Sequence, residues 1–132
     1  MLRKNRHSVY DLEYHLVVVT KYRHKVLIPK IAERLEELSK ELIENNWNCV
    51  LNEINVANEH AHLLIEVPPQ IQLSKLINNY KTVTSRILRK EFTEYLKRFY
   101  WKPYFWSLSY FIGSVSDRSH GVVEQYIKNQ DK

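Results

Sequence analysis

Residues 47–67 read WNCVLNEINVANEHAHLLIEV, and this stretch predicts a β-hairpin. Residues 47–56 form a strand rich in β-forming side chains, and residues 57–59 have the composition of a turn. Residues 60–67 form the returning strand, which two prolines stop. We expect the two strands to pair with each other.

On the amino-terminal side the pattern predicts a strand and then a helix. Residues 9–20 alternate between two faces and are rich in β-forming residues, which is typical of a strand. Pro29 precedes apolar residues spaced three and four apart with glutamates between them. This spacing predicts an amphipathic helix that ends near residues 45–46.

On the carboxyl-terminal side the pattern predicts a helix, a strand and a last helix. Apolar residues repeat at helical spacing over residues 73–88, and lysine and arginine fill much of the polar face. An aromatic stretch follows, and alternation over residues 104–112 fits a fourth strand. Residues 113–119 have the composition of a loop, and Ser119 is a suitable N-cap for the last helix.

The element order is therefore β-α-β-β-α-β-α. This order predicts an α+β fold in which an antiparallel-rich sheet carries its helices on one face, a sandwich of the ferredoxin-like or RNA-recognition-like type. We expect residues 1–132 to be a single domain, because the length leaves no room for a second one. Such folds host many activities, so the function must be argued from particular residues.

Length and cysteine usage exclude several classes of protein. The longest apolar runs are strand-sized, which predicts no membrane span, and no signal peptide follows the basic N-terminus, so we expect a cytoplasmic protein without a membrane partner. Cys49 is the only cysteine, which excludes an intrachain disulfide and a cysteine zinc cluster. Any metal site must therefore use histidine, carboxylate or amide ligands.

Charge is divided unevenly along the chain, whose formal net charge is +5. Residues 1–30 carry a net +5, residues 31–66 a net −6 and residues 67–102 a net +6, while residues 103–132 balance. Two basic segments flanking an acidic one suit a protein that binds a polyanion such as nucleic acid. The alternative is that the basic residues form an ordinary solvated helix face.

His60 and His62 are candidate metal ligands. They are two apart in a predicted strand, so both imidazoles point to the same face, and Glu66 lies farther along that face. Two such ligands can converge on one metal ion. The alternative is a pair of ordinary surface or hydrogen-bonded histidines, and the pattern alone does not decide between the two.

Tyr126 and Gln130 could supply the rest of a site. They are four apart, which places them one turn apart on one face of the last helix. A tyrosine hydroxyl can attack a phosphodiester when a metal ion polarises the phosphate, and an amide oxygen can be a metal ligand. The alternative is that Tyr126 is a core residue, because it lies beside the apolar stripe of its helix.

Taken together, these features resemble a known family. The chain is similar to the single-tyrosine HUH transposases of the insertion sequence 200/605 group, where HUH means histidine, hydrophobic residue, histidine. The matching segments are YHLVVVTKYR at residues 14–23, NEHAHLLI at 58–65, SRILRKEF at 85–92, WKPYFW at 101–106 and VVEQYIKNQ at 122–130. They follow one another along nearly the whole chain.

The resemblance implies a role for each candidate residue. His60, His62 and Gln130 would be the ligands of a divalent metal ion, Mg²⁺ or Mn²⁺, and imidazole ligands favour Mn²⁺ of the two. Tyr126 would be the nucleophile that takes the 5′ phosphate of a cut strand. The implied function is a DNA transposase that cuts and rejoins single-stranded DNA at insertion-sequence ends.

Two features depart from the family pattern. Ala61 is smaller than the usual middle residue of the histidine motif, which matters little because it faces away from the other two. Residues 113–121 are more polar than the glycine-rich stretch that precedes the nucleophile helix in the family. That departure leaves open how the last helix is positioned.

DNA binding is expected from the basic segments, and a dimer from the chemistry. The predicted phosphate contacts are Arg3, Lys4, Arg6, Lys81, Arg86, Arg89 and Lys90. The resemblance adds DNA hairpins as the preferred ligand. It also implies a homodimer in which the tyrosine helix of one chain meets the histidines of the other, so that each active site forms in trans.

The rival interpretation is a non-catalytic module that binds single-stranded nucleic acid. Ten of the sixteen aromatic residues lie between residues 92 and 111, and a sheet that carries aromatic side chains can stack bases. However, the alternation of these aromatics is equally that of core residues. A covalent, metal-dependent adduct with DNA would distinguish a transposase from a binding module.

Overall fold

A four-stranded antiparallel sheet lies at the centre of the protein. The computed structural model describes residues 12–115 and 119–129, with the side chains of residues 119–123 left out. Within those ranges the strands are β1 (Leu12–Val19), β2 (Val50–Val56), β3 (His60–Val67) and β4 (Phe111–Ser114). Their order across the sheet is β2-β3-β1-β4, and every neighbouring pair is antiparallel.

Helices lie in the connections from β1 to β2 and from β3 to β4, and a further helix follows β4. They are α1 (Pro29–Lys40), α2 (Leu73–Glu91), the short α3 (Thr93–Leu96) and α4 (Ser119–Lys128). A 3-10 turn, Lys21–Arg23, follows β1, and a π-helical segment, Glu41–Asn46, continues α1. The predicted α+β fold and its β-α-β-β-α-β-α order are confirmed, and α3 is one added helical turn.

Amphipathic patterning explains why α1 and α2 form and how they pack. Each helix buries one stripe of residues at helical spacing, which are Ile31, Leu35 and Leu38 in α1 and Leu76, Ile77, Tyr80, Thr84 and Leu88 in α2. Pro29 begins α1, where the missing N–H costs nothing because the first-turn donors have no intrahelical partner. The two helices thus cover the sheet with apolar side chains.

One face of the central strands supplies the main core. Leu16 and Val18 of β1 and Ala61, Leu63 and Ile65 of β3 are fully buried and belong to the same cluster as the apolar stripes of α1 and α2. The side chains alternate along each strand, so the intervening residues point to the opposite face.

The opposite face is also covered, and this corrects the expectation that the helices share one face. Val17 and Val19 of β1 are fully buried there, packed by Phe111 of β4 and by Tyr126 and Ile127 of α4. α1 and α2 do share a face, as predicted, but α4 lies on the other one. The last part of β1 is therefore buried on both sides.

The second strand begins later than predicted. β2 starts at Val50 rather than at residue 47, because the helical segment before it continues into a tight turn. Asn48 has a positive φ of 54°, and the backbone N–H of Cys49 donates back to the carbonyl of Ile43 at 2.9 Å. The residues before Val50 thus bond to the end of the helix and not to β3.

The fourth strand is shorter and lies later than predicted. Residues 104–112 were expected to form it, but the ladder with β1 is confined to β4. Trp106 makes only an isolated bridge to Thr20, and its indole N–H donates to Thr84 of α2 at 2.9 Å. Phe105 and Trp106 are buried in the main core, so packing against α2 overrides the strand pattern.

The loop predicted for residues 113–119 is partly strand, because β4 includes its first two residues. A Cβ atom on Gly113 would lie 2.9 Å from the ring of Phe111, so any other residue here would force that ring to shift. Residues 116–118, in the middle of the predicted loop, lie outside the described ranges.

Across the described part of the chain, no helix has both the length and the apolar character needed to cross a lipid bilayer. The cytoplasmic location stays a prediction. The same is true of the single domain extending over residues 1–132.

Candidate active site

The two candidate histidine ligands lie on the face of the sheet that α4 covers. In the β1–β3 ladder, Val19 is opposite His60 and Val17 is opposite His62. Directly opposed residues of an antiparallel pair share a face, and both valines are packed by Tyr126 and its neighbours. The predicted shared face of His60 and His62 is confirmed, and Tyr126 lies on that same face.

His60 is held through one ring nitrogen. Its Nδ1 lies 2.7 Å from Oε1 of Glu59, and Oε2 of Glu59 accepts a hydrogen bond from Nε of Arg23 at 3.0 Å. Burial raises the pKa of Glu59, but the hydrogen bonds and charges of His60 and Arg23 outweigh it, so the net pKa is below its ordinary value. The ionised carboxylate can only accept, so Nδ1 of His60 is the donor. In the neutral imidazole this tautomer places the lone pair on Nε2.

His62 is in contact with a histidine that the sequence analysis did not identify as a site residue. Nδ1 of His15 lies 2.7 Å from Nε2 of His62, and the ring centroids are 4.8 Å apart. His15 is opposite Leu64 in the ladder, one diagonal step from His62. Only the register between β1 and β3 reveals this contact, because the two histidines are 47 residues apart in the chain.

Tyr126 is partly buried on the same face. Its hydroxyl lies 3.1 Å from the hydroxyl of Ser109, and its ring centroid is 5.7 Å from that of Phe111. Burial raises the pKa of the Tyr126 phenol, and the hydrogen bond with Ser109 partly opposes that rise. The phenol is therefore protonated at neutral pH in this arrangement.

Lys81 of α2 fixes the segment that carries Ser109. Its ammonium group donates to the carbonyl oxygens of Ser107 at 2.8 Å, Leu108 at 3.0 Å and Ser109 at 3.4 Å. Desolvation lowers the pKa of this half-buried lysine. The phosphate contact predicted for Lys81 stays a prediction, and it would require these internal bonds to break.

Several predicted residues fall outside the described ranges. They are Gln130, the third candidate metal ligand, and the N-terminal Arg3, Lys4 and Arg6. Among the residues that are described, no group of three or more His, Cys, Asp or Glu side chains is placed to hold a metal ion. To hold a metal ion, His60 and His62 would therefore need at least one further donor.

Glu66 shares the face of the histidines, and one of its carboxylate oxygens is engaged elsewhere, while Oε1 is buried with no hydrogen-bond partner among the described residues. Its Oε2 accepts a hydrogen bond from the side-chain N–H of Asn52 at 2.9 Å, and the same nitrogen lies 2.7 Å from Oε2 of Glu13. Leu64 separates Glu66 from His62 along β3. The structure therefore gives no support to Glu66 as a partner of the histidines.

The outer surface of α2 is basic. Arg86 and Lys90 are exposed, and Arg89 is half-buried with its Nε donating to the hydroxyl of Ser85 at 3.1 Å. Arg89 also lines a groove between α2 and the aromatic segment that includes Tyr104. We refer to Arg86, Arg89 and Lys90 as the α2 basic surface, and it lies on the side of the sheet opposite the histidines.

Comparison with known proteins relates this arrangement to one family. The family model described as "Transposase IS200 like" matches residues 8–130. The chain is 31% identical over 129 residues to the ISDra2 transposase TnpA of Deinococcus radiodurans, an alignment that covers 98% of this chain and 91% of that protein. It is 27% identical over 125 residues to the transposase for insertion sequence element IS200 of Salmonella typhimurium, covering 94% of this chain and 80% of that protein.

Solved structures agree with this assignment. A crystal structure from Deinococcus radiodurans R1, of a protein assigned as a transposase, matches with a TM-score of 0.87 and 32% identity over 98% of both chains. A REP-associated tyrosine transposase bound to a REP hairpin matches with a TM-score of 0.61 over 100% of this chain and 76% of that one. At 12% identity the second likeness shows the fold alone. From its sequence and its fold, this chain belongs to the IS200-like transposase family, and its role is that of a transposase.

Proposed function

We propose that the protein cuts and rejoins single-stranded DNA at the ends of an insertion sequence through a 5′-phosphotyrosine intermediate on Tyr126. The observation that carries the proposal is the position of Tyr126 on the same sheet face as His60 and His62. Membership of the transposase family supports the overall activity. The identity of the nucleophile is part of the proposal.

A divalent metal ion is part of the same proposal. His60 fits a ligand role because Nδ1 is engaged with Glu59, which leaves Nε2 as the nitrogen that a neutral ring would present to a metal ion. His62 would supply a second nitrogen, and its Nε2 would have to leave Nδ1 of His15 to do so. With the amide of Gln130 as the proposed third donor, the set suits Mn²⁺ or Mg²⁺, with imidazole favouring Mn²⁺. When bound, such an ion polarises a scissile phosphate oxygen as a Lewis acid.

The proposed reaction exchanges one phosphodiester for another. The phenol oxygen of Tyr126 attacks the phosphorus and its proton passes to solvent, while the bond from phosphorus to the 3′ oxygen breaks and that oxygen takes up a proton. The 5′ end stays on the tyrosine, and the 3′-hydroxyl of a second strand end can reverse the step. Because burial raises the pKa of Tyr126, loss of the phenol proton is a cost that the site must offset.

The rival proposal, a non-catalytic binding module, has one observation in its favour. Trp101 is 83% exposed with the ammonium group of Lys102 5.0 Å from its ring centroid, which is suited to stacking an unpaired base. However, Phe105 and Trp106 are core residues, and α4 covers part of the sheet face that a binding module would leave open for bases. We therefore favour the transposase reaction.

We further propose that DNA binds to the α2 basic surface and to the basic N-terminal residues. Arg86 and Lys90 are exposed, and neither forms an ion pair with another described residue. The hairpin bound by the REP-associated transposase suggests a structured DNA end as the ligand here as well. Phosphate contacts of this kind supply most of the affinity and make it sensitive to salt.

A homodimer completes the proposal. One tyrosine per chain holds one strand end, so an exchange that joins two ends needs two copies of Tyr126. In the structure, Tyr126 packs on the valines of its own β1, which is a cis arrangement. The trans arrangement implied by the family resemblance requires α4 to leave that position and to dock on a second chain.

The adduct chemistry predicts the effect of two substitutions. Tyr126→Phe should abolish the covalent adduct because it removes the nucleophile, and His62→Ala should abolish metal-dependent cleavage while hairpin binding persists. The measurement is denaturing electrophoresis after incubating each variant with a hairpin oligonucleotide and Mn²⁺ or a chelator. A 3′-labelled strand should stay on the wild-type protein, and a 5′-labelled strand should be released.

Tyr95→Phe is the matched control, because Tyr95 lies in α3, away from the histidine face, and this change should leave the adduct intact. A normal adduct from Tyr126→Phe would contradict the assignment of the nucleophile. Cleavage by His62→Ala at the wild-type rate would contradict the metal assignment.

The binding proposal predicts a change in salt dependence. The double variant Arg86→Gln, Lys90→Gln should bind the hairpin more weakly. The slope of log affinity against log salt concentration should become less steep by about 0.9 for each lost phosphate contact. Fluorescence anisotropy at several salt concentrations measures both effects. Lys40→Gln, an exposed lysine on the acidic α1 side, is the control. An unchanged slope in the double variant would show that the phosphates lie elsewhere.

Trans assembly predicts complementation between two inactive variants. A mixed dimer of His62→Ala and Tyr126→Phe chains would contain one intact composite site and one doubly defective site, so the adduct should reappear on mixing. Differently tagged chains and co-purification verify that subunits have exchanged. If exchange is complete and no adduct forms, the active sites are assembled in cis.

A further inference from the structure

A strained turn follows β1 and lies beside the start of β3. Tyr22 and Arg23 have positive φ angles of 59° and 52°, a conformation that residues other than glycine rarely adopt. Two such residues in succession persist only where surrounding contacts hold them. Contacts from neighbouring segments must therefore hold this turn in place.

Hydrogen bonds hold this turn against the residues that precede the first histidine. The N–H of Thr20 donates to the carbonyl of Glu59 at 3.0 Å, and its hydroxyl donates to the carbonyl of His24 at 2.7 Å, with the carbonyl of Glu59 3.1 Å away. The N–H of Leu27 donates to the carbonyl of Asn58 at 3.0 Å. The hydroxyl of Tyr100 donates to the carbonyl of Lys21 at 2.8 Å. The backbone of residues 58–59 is thus fixed to the turn.

The side chain that the strained turn directs toward β3 is that of Arg23. Its Nε donates to Oε2 of Glu59, and Oε1 of Glu59 accepts from Nδ1 of His60. The Glu59 side chain is only 10% exposed, so a free carboxylate here would be costly without both partners. Each of its two oxygens has one partner, and the carboxylate cannot turn without losing one of them.

We propose that Glu59 is a positioning residue, held by Arg23 of the strained turn, that sets the tautomer and ring orientation of His60 so that Nε2 is presented to the metal ion. The inference rests on the proposed function only in treating His60 as a metal ligand. Carboxylates that accept the second N–H of a ligating histidine typically strengthen metal binding by 10–100-fold. In this positioning role, neither Arg23 nor Glu59 contacts DNA or the reacting atoms.

The first readout of the test needs no metal and no activity. Long-range ¹H–¹⁵N NMR of the imidazoles should show His60 as the Nδ1–H tautomer in the wild type and as a mixture with the Nε2–H form in Glu59→Ala. Glu59→Gln should preserve much of the Nδ1–H form, because its amide oxygen can still accept from His60. Glu53→Gln, an exposed carboxylate on β2, is the control and should match the wild type.

The second readout is metal affinity. Mn²⁺ titration followed by electron paramagnetic resonance should show that Glu59→Ala lowers the affinity for Mn²⁺ by about 10–100-fold and that Arg23→Gln lowers it less. Hairpin affinity in chelator should stay within about twofold, and saturating Mn²⁺ should restore adduct formation. A general loss of structure would instead weaken hairpin binding and would not be rescued by metal.

Two results would overturn the proposal, and they differ from a failure of the proposed function. An unchanged His60 tautomer in Glu59→Ala, or unchanged Mn²⁺ affinity in a variant that still forms the adduct, would remove Glu59 from its positioning role while the transposase reaction stands. Wild-type protein that forms the adduct without binding Mn²⁺ at His60 would refute the positioning role together with the metal assignment.

Discussion

The antiparallel register between β1 and β3 is the constraint on which the rest of the structure depends. It sets Val19 opposite His60 and Val17 opposite His62, so both histidines point away from α1 and α2. If the register slipped by one residue, both histidines would point into the main core and Leu63 would point out of it. Burial of β1 on both faces, where Leu16 to Val19 are all fully buried, makes such a slip costly and fixes the site geometry.

The sheet divides the protein into two sides with different chemistry. On one side α2 carries its basic surface, and on the other lie the histidines, His15 and Tyr126. DNA that contacts the α2 basic surface must pass around an edge of the sheet to reach the histidines, or reach those of a second chain. This separation is a geometric reason to expect that one chain binds the DNA that the histidines of a second chain cut.

The parts of the fold that could be predicted from the sequence are those set by local periodicity. Alternation in residues 60–67 was enough to predict β3 and the shared face of His60 and His62, and helical spacing was enough for α2. The fourth strand was misplaced because Phe105 and Trp106 alternate like strand residues but are held by packing against α2 and by the bond from Trp106 to Thr84. Tertiary packing therefore determines the conformation of this segment.

The parts of the site that could not be predicted depend on contacts between distant segments. The strand register brings His15 to His62, and the fold brings Arg23 to Glu59, which the sequence places in a turn. The sequence predicts a phosphate contact for Lys81 from its charge alone, because its hydrogen bonds to three carbonyl oxygens depend on the fold. In each case the residue type was visible but its partner was not.

The central claim is that the histidine face of the sheet is a metal-assisted active site. Anomalous diffraction from crystals soaked in Mn²⁺ tests it most directly, because it locates the ion without relying on activity. We expect one strong anomalous peak within coordination distance of Nε2 of His60 and of the His62 ring. Full occupancy of Mn²⁺ elsewhere in the protein, with no peak at these two histidines, would contradict it.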